Sequence, residues 1–153
     1  MRREPVAPRP GWQRKLDELG FDYYMLEGKA YWTEQACYAF SSDEIDELEA
    51  ATEVLHGLCL NAVEHVIANK LWERMRIPPA WGDYIERVWR RGDPTLVGRF
   101  DLAYDGKSPP KLLEYNADTP TALYEAAVVQ WYWLKDVKPD ADQFNSIHEK
   151  LID

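Results

Sequence analysis

The sequence is poor in the residues from which zinc and thiol sites are usually built. It holds two cysteines, Cys37 and Cys59, and three histidines among 153 residues. The cysteines form no CxxC pair and the histidines form no HExxH motif, so their spacing predicts no zinc site. We therefore expect two reduced, buried thiols in a cytoplasmic protein.

Long apolar segments are missing as well. No run approaches the roughly 20 apolar residues that a membrane span needs, and the charged start at residues 1–5 is not followed by an apolar stretch. We therefore expect neither a membrane partner nor a signal peptide. The sequence also lacks the GxxxxGK[ST] loop that cradles phosphates in many nucleotide-binding proteins.

Positive charge is in deficit, because 18 Lys and Arg residues face 27 Asp and Glu residues, for a net charge of −9. A chain of this charge is a poor match for a polyanion, so nucleic acid is not expected as the main partner. The excess of negative charge fits simple solubility, and it would also suit a cationic ligand.

The pattern of apolar residues predicts an α+β domain in which helices pack on a small antiparallel sheet. Residues 1–11 are expected to be extended, and residues 21–32 to form two short strands or irregular structure around a turn. The clearest helix begins with the Ser41–Glu44 capping box. Further helices are predicted over residues 12–19 and 81–91, and the capped helix over residues 42–69. Another is predicted from a Thr119 cap, with Pro120 at the first helical position, to about residue 135, and a last one from about residue 143. Strands are predicted over residues 97–104 and 111–116.

The two predicted strands bring polar side chains to one face. Strand side chains alternate, so an antiparallel pairing can place Arg99, Asp101, Glu114 and Asn116 together. Carboxylate and amide oxygens suit Mg²⁺, and an arginine can grip a phosphate or carboxylate. From the pattern alone, a solvated hairpin face with ion pairs worth a few tenths of a kcal/mol is the favoured interpretation.

The same region resembles the glutathionylspermidine synthase family. The resemblance covers nearly the whole chain, and its most specific part is carried by GRFDLAYDG at residues 98–106, PKLLEYNADTPT at residues 110–121 and LYEAA at residues 123–127. It implies an ATP-grasp-type carboxylate–amine ligase with a permuted order, in which ATP and a peptide carboxylate such as that of glutathione give an acyl phosphate. A polyamine or another amine would then displace the phosphate. By this resemblance Asp101, Glu114 and Asn116 are magnesium ligands, and Arg99 is the catalytic and ATP-binding residue that stabilises the transferring phosphoryl group or the carboxylate.

The resemblance also implies parts that this sequence does not contain. In that family the lysines that grip the nucleotide come much later in the chain, so residues 1–153 are predicted to be a single N-terminal portion of a longer ligase, inactive alone. The apolar stripe of Phe144, Ile147 and Leu151 runs to the end without a helix cap, which points the same way. The alternative is a non-catalytic protein-interaction module that uses this stripe.

Overall fold

A computed structural model describes residues 1–152 and shows an α+β fold. The strands form three separate two-stranded antiparallel sheets rather than the one sheet predicted. The strands are β1 (Arg2–Pro5), β2 (Met25–Leu26), β3 (Lys29–Ala30), β4 (Ala36–Ala39), β5 (Arg99–Ala103) and β6 (Lys111–Asn116). The helices are α1 (Trp12–Glu18), α2 (Ser42–Ala68), α3 (Gly82–Arg91), α4 (Gln130–Val137) and α5 (Ile147–Ile152), with a 3₁₀ turn at Pro79–Trp81 and a π-helical turn at Glu125–Val129.

Helix α2 is the longest element and confirms the predicted capping box. Ser41 Oγ accepts a hydrogen bond from the Glu44 amide at 3.3 Å, and a Glu44 carboxylate oxygen accepts one from the Ser41 amide at 2.8 Å. These two bonds satisfy backbone donors that the first helical turn would otherwise leave open. The helix then runs for 27 residues to Ala68, with Asn69 as its C-cap.

The N-terminal segment is extended as predicted, but its pairing was not foreseen. Strand β1 pairs with β4, with Arg2 opposite Ala39 and Pro5 opposite Ala36. Beyond β1, the buried Arg9 side chain forms an ion pair with the buried Glu34 carboxylate. A small core of Leu16, Phe21 and Val129 has Trp12 and Trp32 packed against it.

The helix predicted to begin at Thr119 and Pro120 starts later, at Leu123. Asn116 is the reason, because its Oδ1 accepts hydrogen bonds from the amides of Asp118 and Thr119 at 3.2 and 3.1 Å and holds them in a turn. Ala122 then has φ of 68°, in the left-handed region, which an α-helix cannot include. The predicted Thr119 cap is therefore wrong.

The last helix also begins later than predicted, at Ile147 rather than near residue 143. The two cysteines are free thiols, as expected, but both are partly exposed rather than buried. Within residues 1–152, none of the helices combines the length and the apolarity that crossing a membrane requires.

Candidate functional site

Strands β5 and β6 bring the four predicted site residues onto one face of a hairpin. In the observed register Arg99 lies opposite Asn116, and Asp101 lies opposite Glu114. Both are directly paired positions, and side chains at such positions stand about 4.5–5.5 Å apart at their Cβ atoms. The structure therefore confirms the predicted placement, while the roles of the four residues remain predictions.

The pairing is interrupted just beyond the Asp101–Glu114 pair. The next residue of β5, Leu102, lies opposite Leu112, so Leu113 is an extra residue and the strands form a bulge there. A bulge bends its strand and locally increases the twist, and bulges often lie next to functional sites. The alternation that the sequence predicted thus holds from Arg99 to Asp101 and changes after it.

Arg99 is held in place by two neighbours. Its Nε donates to Asp101 Oδ1 at 2.7 Å, and its Nη1 donates to the Thr121 hydroxyl and carbonyl oxygens at 2.9 and 3.1 Å. The hydrogen bond to Asp101 raises the pKa of Arg99 above its ordinary value. The guanidinium is therefore a fixed cation, which suits a group that meets negative charge developing on a phosphoryl or carboxylate oxygen.

The three predicted magnesium ligands differ in how free their oxygens are. Glu114 is exposed, and Asp101 shares its carboxylate with Arg99. The Asn116 Oδ1 already accepts two amide hydrogen bonds within its own turn. The opposed carboxylates of Asp101 and Glu114 are thus the better candidates, and Asn116 contributes directly to the shape of the loop that carries Thr121.

This donor set fits Mg²⁺ in one particular way. Among residues 1–152, no group of three or more His, Cys, Asp or Glu residues is placed to hold a metal ion. Mg²⁺ does not require such a cluster, because it commonly binds one or two protein carboxylates and completes its shell with water and substrate phosphates. Asp101 and Glu114 would hold the ion in that manner.

Two residues near Arg99, Thr121 and Tyr31, were not predicted from the sequence. Thr121 lies within the stretch that resembles the family, but only the loop conformation shows that it contacts Arg99. Tyr31 donates a hydrogen bond from its hydroxyl to a Glu125 carboxylate oxygen at 2.6 Å. That bond is the larger cause, and burial of the hydroxyl the next, by which the pKa of Tyr31 is raised to about 12. The bond ties the segment around β3 to the π-helical turn that follows the hairpin.

Comparison with known proteins extends the match beyond this hairpin. The family model described as glutathionylspermidine synthase preATP-grasp matches residues 3–153. The chain belongs to the glutathionylspermidine synthase preATP-grasp family. The resemblance noted in the sequence at residues 98–127 is thereby confirmed and covers nearly the whole chain.

The relatives that the chain matches are named as a ligase, a synthetase and a synthase. The chain is 44% identical over 149 residues to a putative acid–amine ligase of Haemophilus influenzae, and the match covers 94% of this chain and 38% of that protein. It is 28% identical to trypanothione synthetase of Crithidia fasciculata, over 84% of this chain and 18% of that protein. It is also 32% identical to glutathionylspermidine synthase of the same organism, over 62% of this chain and 14% of that protein. The chain therefore spans less than two fifths of the length of these relatives.

Proposed function

We propose that this chain supplies the magnesium-binding hairpin of an ATP- and Mg²⁺-dependent carboxylate–amine ligase of the glutathionylspermidine synthase type. In this proposal a peptide carboxylate such as that of glutathione is joined to a polyamine or another amine through an acyl phosphate, on a permuted ATP-grasp fold. Family membership and the names of the relatives support the ligase class. The net charge of −9 is compatible with a cationic amine as substrate.

One observation carries the proposal. The register pairs Asp101 with Glu114 and Arg99 with Asn116, so two carboxylates and a fixed guanidinium share one hairpin face. Bound Mg²⁺ would draw charge from phosphate oxygens and orient them for displacement. Asp101 and Glu114 would hold the ion, and Arg99, kept in place by Asp101 and Thr121, would stabilise charge on the phosphoryl or carboxylate oxygens.

The test is ADP release by the complete gene product with Mg²⁺, glutathione and a panel of polyamines and other amines. We expect release that depends on the amine and is lost in Glu114→Gln, because the substitution removes one of the two charges opposed across the hairpin. Glu73→Gln is the matched control, since Glu73 is exposed and lies outside the hairpin. ADP release that does not depend on the amine, or ADP release that is undiminished in Glu114→Gln, would refute the proposal.

The chain of 153 residues by itself is proposed not to turn over ATP, because the nucleotide-gripping lysines of the family lie outside it. ATP hydrolysis by the purified chain that disappears in Asp101→Asn would contradict this. The alternative of a protein-interaction module finds some support in α5, where Leu151 and Ile152 are exposed. A folded protein that shows no turnover with any amine would favour that alternative.

A further inference from the structure

The face of the hairpin opposite the proposed ligands is aromatic. Phe100 lies between Arg99 and Asp101 in the chain, and Tyr115 lies between Glu114 and Asn116. The two rings stack with centroids 4.0 Å apart and planes 20° apart. Glu114 and Asn116 flank Tyr115 on the same strand with their side chains on the opposite face, so a displacement of the Tyr115 main chain also displaces these two residues.

This ring pair reaches α2 through a polar contact of Tyr115. The Tyr115 hydroxyl and His56 Nδ1 are hydrogen-bonded at 3.2 Å. The two rings meet edge-on, with centroids 6.1 Å apart and an angle of 84° between their planes. Both residues are half-buried, so water competes with the bond less than it would at an open surface.

The backbone next to the ring pair leaves room for this arrangement. A Cβ atom at Gly98 would lie 2.7 Å from Cε2 and 2.9 Å from the hydroxyl oxygen of Tyr115. Any side chain at residue 98 would therefore push the Tyr115 ring away from its place. The absence of a Cβ there lets Tyr115 lie against the start of β5 while its hydroxyl points to His56.

We propose that His56 is a positioning residue for the metal-binding face, acting through Tyr115. Helix α2 has a complete cap at its start, and the bond from His56 ties Tyr115, and with it β6, to this helix. The strand register pairs Glu114 with Asp101, and the tie through Tyr115 restricts where this pair lies relative to α2. This inference rests on the proposed function, because it assumes that the hairpin face binds Mg²⁺. The hydrogen bond between Tyr115 and His56 does not depend on that assumption.

The test compares single and double variants of the complete gene product. In His56→Leu and in Tyr115→Phe we expect the Mg²⁺ concentration for half-maximal ADP release to rise about three- to tenfold, the effect of one lost hydrogen bond. The double variant should be no worse than either single one, because both changes remove the same bond. His56→Asn should recover part of the effect, since its amide can bond the tyrosine. His65→Leu is the control, because His65 lies exposed on the same helix and its ring is hydrogen-bonded to the neighbouring Asn69 rather than to the hairpin.

A second measurement does not depend on activity. Backbone amide chemical shifts of Glu114 and Asn116 should change in His56→Leu and stay unchanged in His65→Leu. If these shifts and the Mg²⁺ requirement are both unaltered in a folded His56→Leu protein, the inference is wrong. A fall in thermal stability with an unaltered Mg²⁺ requirement would make His56 merely structural and would also overturn it. If the unmodified protein releases no ADP, the proposed function is wrong instead. The chemical shifts of Glu114 and Asn116 in His56→Leu would then show whether His56 positions the hairpin.

Discussion

Replacing Glu34 by Gln should destabilise the protein more than any surface substitution. The Glu34 side chain is 0% exposed, and that of its partner Arg9 is 6% exposed. The carboxylate accepts hydrogen bonds from Arg9 Nη2 at 2.6 Å, from Nε at 3.1 Å and from the backbone amide of Arg9 at 3.1 Å. Glu34 thus binds both the charge and the main chain of the N-terminal segment.

The size of the effect follows from what the substitution leaves behind. Removing one partner of a buried ion pair costs about 3–5 kcal/mol, because the remaining charge stays buried without compensation. Arg9 keeps a second partner, since its Nη1 donates to Asp136 at 2.8 Å, and the Gln amide oxygen can still accept one bond. We therefore expect the lower end, about 3 kcal/mol, or a fall in melting temperature of roughly 6–12 °C for a chain of this size.

Urea unfolding followed by tryptophan fluorescence measures this loss, because Trp12 and Trp32 pack against the buried core and report on its unfolding. The matched control is Glu18→Gln, which removes the same charge from an ion pair whose Glu18 and Arg14 side chains are 63% and 87% exposed. It should cost less than about 0.5 kcal/mol. A loss below about 1 kcal/mol in Glu34→Gln, with an unchanged slope against urea, would refute the reasoning.

Two further predictions concern the hairpin and the acid limit of stability. Gly98→Ala places a Cβ 2.7 Å from Tyr115, so in the complete gene product it should raise the Mg²⁺ requirement for ADP release as well as cost about 1–3 kcal/mol of stability. Gly82→Ala, whose Cβ would lie 2.6 Å from Trp72 Nε1, should cost stability without changing that requirement; equal Mg²⁺ curves for both variants would contradict the prediction. Hydrogen bonds from Lys15 and then Arg9 lower the pKa of Asp136 below its ordinary 3.8. Its contribution is therefore complete above that value and is lost as the pH falls through the folded-state pKa. Asp136→Asn should flatten thermal stability between about pH 5 and pH 2, and a slope as steep as in the unmodified protein would contradict this.

The parts of the fold that the sequence predicted well are those governed by local rules. The capping box at Ser41 and the spacing of apolar residues behind it predict α2 nearly to its last residue. Likewise, the alternation of side chains along two strands joined by a short loop is enough to place Arg99 and Glu114 on one face.

The errors arise where a local signal competes with another or where the decisive contact is distant. Thr119 followed by Pro120 is a good helix start, yet Asn116 accepts a hydrogen bond from the Thr119 amide and holds this segment in a turn. The pairing of Arg2 with Ala39 joins residues far apart in the chain, and nothing local marks either strand as the partner of the other. The same holds for Thr121, whose contact with Arg99 depends on the left-handed Ala122.

Among residues 1–152, two side-chain hydrogen bonds join the hairpin to α2. The Tyr104 hydroxyl donates to Glu47 at 2.8 Å just past the end of β5, and the Tyr115 hydroxyl bonds His56 from β6. Glu47 and His56 are nine residues apart on the helix, a distance of about 13.5 Å at 1.5 Å per residue. Two hydrogen bonds at separate places on the helix restrict the orientation of the hairpin relative to α2 more than either bond alone. Within the hairpin, the ladder of β5 and β6 keeps Asp101 opposite Glu114. The ion pair of Arg99 with Asp101 offsets part of the repulsion between these two like charges.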